Sequence, residues 1–248
     1  MIELVSLTKR YGGKQGQTAI EDITLTVQSG RVYGLVGSNG AGKTTLLRII
    51  AGICLPTSGS VRCGGRARPS PGTRALVSDE PYVLPQATPE TMGRFYRGYY
   101  PRWSDAVYAR LLSLFGLNGR ARIEGFSKGM ARQVAIALGL ASGAEVLLLD
   151  ESFDGLDFAR RRLIRRLVCS YAHTRDAAVM LTSHNLAEVE DVVDDLGMID
   201  GCRLVFSSSI QELRRSHPGA SLEEICLDAG GQMASAAISD ADLEALFA

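Results

Sequence analysis

The sequence lacks any apolar run long enough to cross a membrane. The longest candidate, residues 135–144, falls well short of the roughly 20 residues that a transmembrane helix needs, and it contains two glycines. The first residues, Met1–Leu4, carry an acid where a secretory signal would carry bases. We therefore expect a chain that reaches a membrane only through a partner protein.

Cysteine is scarce, and charge of one sign is not in excess. The five cysteines are scattered and form no C-x-x-C pair, which is typical of reduced thiols in a cytoplasmic protein. Lys plus Arg and Asp plus Glu each number 27, so the net charge is zero, which argues against bulk electrostatic binding to nucleic acid or anionic lipid. An apolar content of 46% over 248 residues supports a packed core and excludes wholesale disorder.

Strand and helix patterns alternate along the chain. Residues 1–36 have the alternation of β-strands, and the apolar runs at 145–150 and 178–182 are each followed by a helical stretch. This order predicts a parallel sheet with helices on both faces. The period is helical from 88 to about 142, which predicts a helical insertion, and two capping patterns after residue 207 predict short helices.

The insertion and the tail carry specific helix signals. Thr88 and Pro89 predict a helix start. The tail helices are predicted to begin with capping boxes at Ser209 and Ser221. Two apolar faces are predicted, one formed by Val107, Leu111, Leu114 and Phe115 and one by Val134, Ala137, Leu138 and Ala141.

A glycine-rich loop between a predicted strand and a predicted helix gives the strongest local signal. Residues 37–44 fit the pattern G-x-x-x-x-G-K-[ST]. Glycines let successive backbone N–H groups point at phosphate oxygens, and the positive end of the following helix favours the same anion. Lys43 is expected to reach the β- and γ-phosphates, and the Thr44 hydroxyl to ligate Mg²⁺. The predicted nucleotide-binding residues here are Ser38, Asn39, Gly40, Ala41, Gly42, Lys43, Thr44 and Thr45.

Acidic residues and a histidine follow the later apolar strands. Asp150 ends the run at 145–150 and is predicted to hold Mg²⁺, directly or through water. Glu151 is expected at the carboxyl edge of the sheet, where it would polarise an attacking water as general base. His184 follows the run at 178–182 and is expected to bond the γ-phosphate and orient that water. Glu151 and His184 are the predicted catalytic residues.

With these motifs in this order, nearly the whole chain resembles the ATP-binding subunits of ABC (ATP-binding cassette) transporters. Tyr11 matches the aromatic residue that stacks on adenine, and residues 154–157, Asp-Gly-Leu-Asp, match the D-loop. His184 matches the switch histidine. Residues 126–130, Phe-Ser-Lys-Gly-Met, occupy the place of the signature Leu-Ser-Gly-Gly-Gln. Many NTPases share the P-loop, so the P-loop alone does not identify the family. The signature position just ahead of an apolar strand ending in Asp-Glu is what singles it out.

The resemblance implies an α/β fold: a P-loop NTPase core with a mixed, mainly parallel sheet, an N-terminal antiparallel β subdomain and an inserted α-helical subdomain. It implies an ATPase domain over residues 1–206, with the helical subdomain at about 88–142, and a C-terminal helical tail over 207–248. It implies ATP and Mg²⁺ as cofactors, and as partners a second cassette, expected to be an identical chain, and a transmembrane permease subunit. Ser127 and Gly129 would contact the γ-phosphate bound by the second cassette. The chain would then lie in the cytoplasm at the inner face of the membrane.

Several positions depart from the family pattern. Asp79 occupies the place of the Q-loop glutamine and is predicted as a metal ligand, with a charged group replacing a neutral one. Lys128 and Met130 replace a glycine and the glutamine of the signature, and Ser152 replaces a proline. We expect these changes to affect the rate of turnover more than nucleotide binding.

A finer resemblance points to the ATPases of ABC-2-type exporters. It rests on the signature and Q-loop variants and on the stretches 100–103 and 221–227. Two alternatives are a soluble ABC-type ATPase acting on ribosomes or DNA and a weakly hydrolysing regulatory module. The room for a single cassette and the absence of sustained heptads disfavour the first. The intact Asp150, Glu151 and His184 disfavour the second.

Two side-chain clusters allow more than one interpretation. A basic cluster after the D-loop could bind nucleic acid, but interleaved apolar residues favour a solvated helix face, so no nucleic-acid partner is expected. An aromatic cluster at the start of the helical insertion fits core packing and a permease-docking groove equally well. The basic cluster is Arg160, Arg161, Arg162, Arg165 and Arg166, and the aromatic cluster is Tyr96, Tyr99, Tyr100 and Trp103.

Overall fold

A computed structural model describes residues 1–12, 16–67, 69–80, 84 and 86–230. Within these ranges the strands are β1 (Ile2–Arg10), β2 (Thr18–Val27), β3 (Val32–Val36), β4 (Ser58–Cys63), β5 (Arg74–Val77), β6 (Val146–Asp150), β7 (Ala178–Ser183), β8 (Asp195–Asp200) and β9 (Arg203–Ser209). The helices are α1 (Lys43–Ala51), α2 (Pro89–Tyr99), α3 (Asp105–Phe115), α4 (Lys128–Ala141), α5 (Phe158–Arg175), α6 (Ile210–Ser216) and α7 (Leu222–Ala229), with 3₁₀ turns at Ile123–Gly125 and Leu186–Glu188. None of the described helices has both the length and the apolar character to cross a membrane.

The larger sheet has six strands in the order β5-β6-β7-β3-β8-β9. Neighbouring strands are parallel except β8 and β9, so the predicted mixed, mainly parallel sheet is confirmed. Strands β3, β6 and β7 are buried along their whole length, as expected for parallel strands covered on both faces. Because β7 lies between β3 and β6, the carboxyl ends of these three strands share one edge of the sheet.

A smaller antiparallel sheet, with the order β2-β1-β4, covers one side of the main sheet. Its apolar residues share a buried cluster with α1 and with residues of β3, β6 and β7. The cluster includes Leu4, Ile23, Leu46 and Leu148, each fully buried. The antiparallel N-terminal β subdomain is therefore confirmed, and it packs directly behind the loop that joins β3 to α1.

Hydroxyl side chains start the three helices of the insertion. Thr88, Ser104 and Ser127 each accept a hydrogen bond from the backbone N–H three residues later, which satisfies a donor that the helix itself leaves free. Pro89 follows Thr88 in the first turn of α2, as predicted. The insertion is thus three helices with sequence-encoded starts.

The buried face of α3 differs from the predicted one. Leu114 is 47% exposed, so its assignment to the core-facing side was wrong, and Val107 is only partly buried. The stripe that packs inward includes Tyr108 and Leu112 in place of Val107 and Leu114. The buried residues of α3 are Tyr108, Leu111, Leu112 and Phe115.

The described part of the tail packs on the main core. β9 runs to Ser209, so the expected boundary at residue 207 falls within a strand of the larger sheet. α7 opens with the predicted capping box at Ser221. At Ser209 only one half of the capping box forms. The Ser209 hydroxyl accepts from the Glu212 N–H, but the Glu212 side chain pairs with Arg215 of its own helix. Residues 231–248, the end of the predicted tail, lie outside the described residues. The tail residues buried in the core are Leu213, Leu222 and Ile225.

Candidate active site

The loop after β3 wraps around a buried lysine. Lys43 begins α1 and is 5% exposed, and its ammonium donates to the carbonyl oxygens of Gly37 at 2.7 Å and Ser38 at 3.1 Å. Gly42 has φ 111°, and a Cβ there would collide with the carbonyl oxygen of Ala19, so the position requires glycine. Because Gly42 has no side chain to cap α1, the N–H groups of the first turn remain available to an anion.

Asp150 ends β6 and lies buried beside two hydroxyl groups. Its Oδ1 accepts hydrogen bonds from Thr44 Oγ1 at 3.2 Å and from Thr182 Oγ1 at 2.7 Å. Thr44 and Asp150, two of the predicted metal ligands, are thus in contact, and hard oxygen ligands of this kind suit Mg²⁺. Thr182 was not among the predicted site residues. No local sequence signal marks Thr182, because it comes to lie opposite Asp150 only when β6 and β7 pair.

Glu151 lies at the centre of the charged groups. Its φ of 44° is a strained left-handed conformation for a non-glycine residue and turns the chain sharply after β6. Its Oε2 accepts from the His184 backbone N–H at 3.2 Å and lies 2.9 Å from His184 Nδ1, while its Oε1 lies 3.3 Å from the Lys43 ammonium. The fold therefore brings both predicted catalytic residues to the lysine of the loop.

A cavity of about 380 Å³ opens beside this group. Ser38 lines a neighbouring cavity together with His184. Ala41 is buried and its N–H donates to the Ser38 carbonyl, so it closes the turn. The Tyr11 ring is 46% exposed, with the Lys9 ammonium 4.9 Å from its centroid. The predicted residues that line the 380 Å³ cavity are Tyr11, Asn39, Gly40, Gly42, Lys43, Thr44, Thr45, Asp79 and Glu151.

Ser127 and Gly129 line a different cavity. The Ser127 hydroxyl caps α4 by accepting from the Met130 N–H at 3.2 Å, and the Gly129 carbonyl accepts from Gln133 Nε2 at 3.1 Å. This cavity of about 390 Å³ is bounded by the signature turn (residues 126–130) and by residues of the D-loop. Among the described residues it shares no lining residue with the cavity beside Lys43. One chain therefore carries the two predicted halves of the nucleotide site on separate surfaces.

Comparison with known protein families agrees with these features. The family model described as "ABC transporter" matches residues 20–154, which is more than half of the chain. The chain belongs to the ABC transporter family. The matched range includes the P-loop, the signature turn and the Asp150–Glu151 pair, whereas Tyr11 and His184 lie outside it.

Curated ABC proteins resemble this cassette over most of its length. The bacitracin transport ATP-binding protein BcrA of Enterococcus faecalis is 31% identical, covering 87% of this chain and 71% of that protein. The ABC transporter ATP-binding protein YtrB of Bacillus subtilis (strain 168) is 29% identical, covering 88% of this chain and 75% of that protein. The ABC protein NatA of the same strain is 28% identical over 91% of this chain and 96% of its own. The chain is an ABC-type ATPase.

Solved ABC structures share the fold. A structure described as an ATP-binding subunit of an ABC transporter superposes with a TM-score of 0.81 at 26% identity, covering 92% of this chain and 99% of the other. A dimeric cassette in a post-hydrolysis state bound to ADP and Pi gives a TM-score of 0.76 at 19% identity, covering 85% of this chain and 99% of the other. The predicted fold class is confirmed.

The ABC Q-loop position holds an ion pair in this chain. Asp79 Oδ1 lies 2.9 Å from Nη2 of Arg132, a fully buried residue of α4. Arg132 Nη1 lies 3.4 Å from the Ser78 carbonyl, and its Nε has no partner among the described residues. Sequence reasoning missed Arg132, because nothing local marks a partner for Asp79 that is 53 residues away. Asp79 also lines the Lys43 cavity, so its assignment as a metal ligand stays a prediction.

The basic cluster of the cassette is engaged largely within the chain. Arg161 pairs with Glu188 at 3.0 Å and Arg165 with Asp191 at 3.5 Å, while Arg160 Nη1 donates to the Leu114 carbonyl. These contacts fit the solvated-face interpretation. In the aromatic cluster, stacking and edge contacts join the rings, and Tyr99 remains 56% exposed. The ring contacts fit the packing interpretation, and the permease-docking interpretation stays a prediction.

Proposed function

We propose that two copies of this ABC ATPase close head to tail around ATP and thereby power a membrane permease that exports its substrate. The observation that carries the proposal is the separation of the two cavities. Lys43 and Ser127 lie on different surfaces of one chain, so a second copy related by two-fold symmetry can bring Ser127 to the nucleotide held at Lys43. Each closed pair would then enclose two nucleotides.

Binding would rest on the P-loop. The N–H groups at the start of α1 and the Lys43 ammonium would hold the β- and γ-phosphates, and Tyr11 would stack on the adenine. Mg²⁺ would be held by Thr44 and Asp150, with the second carboxylate oxygen of Asp79 as a further candidate, and would neutralise phosphate charge.

Hydrolysis would rest on Glu151 and His184. Glu151 would take a proton from a water molecule as that water attacks the γ-phosphorus in line, which breaks the bond to the β-phosphate oxygen and yields ADP and phosphate. His184 is in contact with the Glu151 carboxylate at 2.9 Å and would orient the same water. Loss of the γ-phosphate would remove the bridge to Ser127 of the second copy and reopen the pair.

Replacing Glu151 tests this function directly. We expect Glu151→Gln to bind Mg-ATP, to lose at least about 100-fold in turnover as a missing general base requires, and to accumulate as an ATP-dependent dimer. Turnover can be followed by phosphate release and dimer formation by light scattering. Turnover equal to that of the wild type would reject Glu151 as the base. Absence of Mg-ATP binding by the wild type would reject the function as a whole.

The permease would dock on the helical insertion. Phe95 and Tyr99 on α2 are 62% and 56% exposed, beside the stacked rings of Tyr96 and Tyr100. Exposed aromatic side chains of this kind anchor protein interfaces. One relative, named as a Nod factor export ATP-binding protein, supports export. We expect a co-expressed permease to co-purify with the wild type and to be lost from a Phe95→Ser, Tyr99→Ser variant that still binds ATP, and retention would reject this docking site. Docking would hold the chain at the cytoplasmic face of the membrane.

A further inference from the structure

A buried carboxylate joins the segment that carries His184 to the D-loop. Glu188, in the 3₁₀ turn after β7, has a side chain only 6% exposed. Its Oε2 accepts from the Ser183 hydroxyl at 3.0 Å, and its Oε1 lies 3.0 Å from Arg161 Nη1. Arg161 Nε in turn donates to the carbonyl oxygen of Leu156 in the D-loop at 3.2 Å. The three polar contacts therefore form one continuous connection from Ser183 through Glu188 and Arg161 to Leu156.

The two ends of this connection reach the two predicted halves of the nucleotide site. At one end, Ser183 immediately precedes His184, which contacts Glu151. At the other end, the D-loop packs on the signature turn so closely that a Cβ on Gly129 would lie 2.7 Å from the Gly155 carbonyl oxygen. The connection thus spans from the catalytic group to the turn that would serve the nucleotide of the second copy.

We propose that the Glu188–Arg161 ion pair is a positioning device that fixes the His184 segment relative to the D-loop, so that the catalytic group and the signature turn of one chain move together. The inference rests on the proposed function. Neither residue contacts the reacting atoms, so both act through others. Removing Arg161 leaves the buried Glu188 carboxylate without its cation, and neutralising Glu188 releases Arg161 from this contact, so the geometry should depend on both.

The chain offers an exposed ion pair as a matched control. Glu190, two residues after Glu188, pairs with Arg214 at 3.6 Å, and both side chains are substantially exposed. Exposed pairs of this kind contribute little, because water screens them. Arg214→Met and Glu190→Gln therefore repeat the chemistry of Arg161→Met and Glu188→Gln without breaking the buried connection.

Steady-state ATPase kinetics on the full chain provide the first test. We expect Glu188→Gln and Arg161→Met each to lower kcat about tenfold or more, because small displacements of a catalytic group have effects of this size, while KM for ATP changes less than about threefold. The double variant should be no slower than the slower single variant, as expected of two residues that act through one contact. Both controls should stay within about twofold of the wild type. A double variant whose loss of kcat equals the product of the two single losses would overturn the proposal. Single variants with the same kcat as the controls would also overturn it.

Amide hydrogen exchange gives a second test that does not need turnover. The N–H groups of Asp154 and Leu156 in the D-loop are hydrogen-bonded to the carbonyls of Glu151 and Phe153. Glu188 lies in the 3₁₀ turn after β7 and not in the D-loop. We nevertheless expect Glu188→Gln to speed the amide exchange of residues 154–157 by about fivefold or more, and Glu190→Gln to leave that exchange unchanged. Unchanged exchange in Glu188→Gln would overturn the inference. If the wild type failed to bind Mg-ATP, the proposed function would fail, and the exchange result would still report separately on this connection.

Discussion

The hydroxyl of Thr182 contacts both Asp150, the last residue of β6, and Glu151, which follows it. It donates to Asp150 Oδ1 at 2.7 Å and accepts from the Glu151 backbone N–H at 3.1 Å. Thr182 is only 1% exposed, so water cannot replace these bonds if the hydroxyl is removed. A single oxygen atom therefore positions both the predicted metal ligand and the predicted base.

We expect Thr182→Val, which keeps the shape and removes the hydroxyl, to lower kcat about tenfold and to cost about 1–3 kcal/mol in the free energy of unfolding, because a buried N–H and a carboxylate lose a partner. Thr182→Ser keeps the oxygen and should retain most of the activity. Phosphate release and urea denaturation measure the two quantities. Equal activity in the valine variant and the wild type would show that Asp150 and Glu151 hold their positions without this hydroxyl.

Single residues could be predicted from the sequence where neighbouring residues define the chemistry. The P-loop residues were predicted from their spacing, and the Asp150–Glu151 pair was predicted because it ends an apolar strand in a chain that carries a P-loop. Arg132 could not be identified in this way, because its carboxylate partner lies 53 residues earlier and meets it only after β5 and α4 pack. Thr182 and Glu188 are similar cases, since an ordinary threonine and glutamate acquire a role only through a contact with another segment.

Among the elements of the fold, the signature turn and the D-loop meet at Gly129. A Cβ at this position would lie 2.7 Å from the Gly155 carbonyl oxygen, a backbone atom that cannot move without moving the D-loop. Gly125, four residues earlier in the preceding 3₁₀ turn, has no heavy atom within 4 Å of the corresponding Cβ position. The two glycines therefore form a natural comparison.

Gly129→Ala should displace the signature turn from the D-loop, since overpacking of this kind costs about 1–3 kcal/mol. We expect about tenfold weaker ATP-dependent dimer formation, measured in a Glu151→Gln background, with Mg-ATP affinity of the single chain unchanged because the P-loop is on another surface. Gly125→Ala should dimerise like its parent. A Gly129→Ala protein that dimerises as well as Gly125→Ala would show that the turn tolerates the shift.

Helix starts were the most predictable elements, because a cap and its helix are adjacent in the sequence. Thr88 and Ser221 illustrate this, as both cap the helices that were expected to follow them. The buried face of α3 was less predictable, since Leu112 and Leu114 are equally apolar and only packing decides which one turns inward. The expected boundary at residue 207 lies within β9, because β9 pairs with β8, a distant constraint that composition does not reveal.

The sheet order organises the whole molecule. Alternating strands and helices predicted a parallel sheet, but not that β7 would lie between β3 and β6. That order brings the loop after β3, the acids after β6 and His184 after β7 to one edge, where ligands bind in open α/β sheets. The signature turn begins α4, and its cavity is separate from this edge. The predicted nucleotide-binding residues and the predicted signature residues thus lie at separate cavities of the molecule.

Mixing two defective chains tests this division of labour. In a head-to-tail dimer of a Lys43→Ala chain with a Ser127→Ala chain, one site carries both defects and the other carries none. Each variant alone should be nearly inactive. An equal mixture should form about half mixed dimers and recover up to about one quarter of wild-type turnover if the sites act independently. ATP-dependent association of two differently labelled chains provides a second measurement that does not require independent sites. A mixture that gains neither turnover nor association, although both chains are folded, would contradict a site shared between Lys43 of one copy and Ser127 of the other.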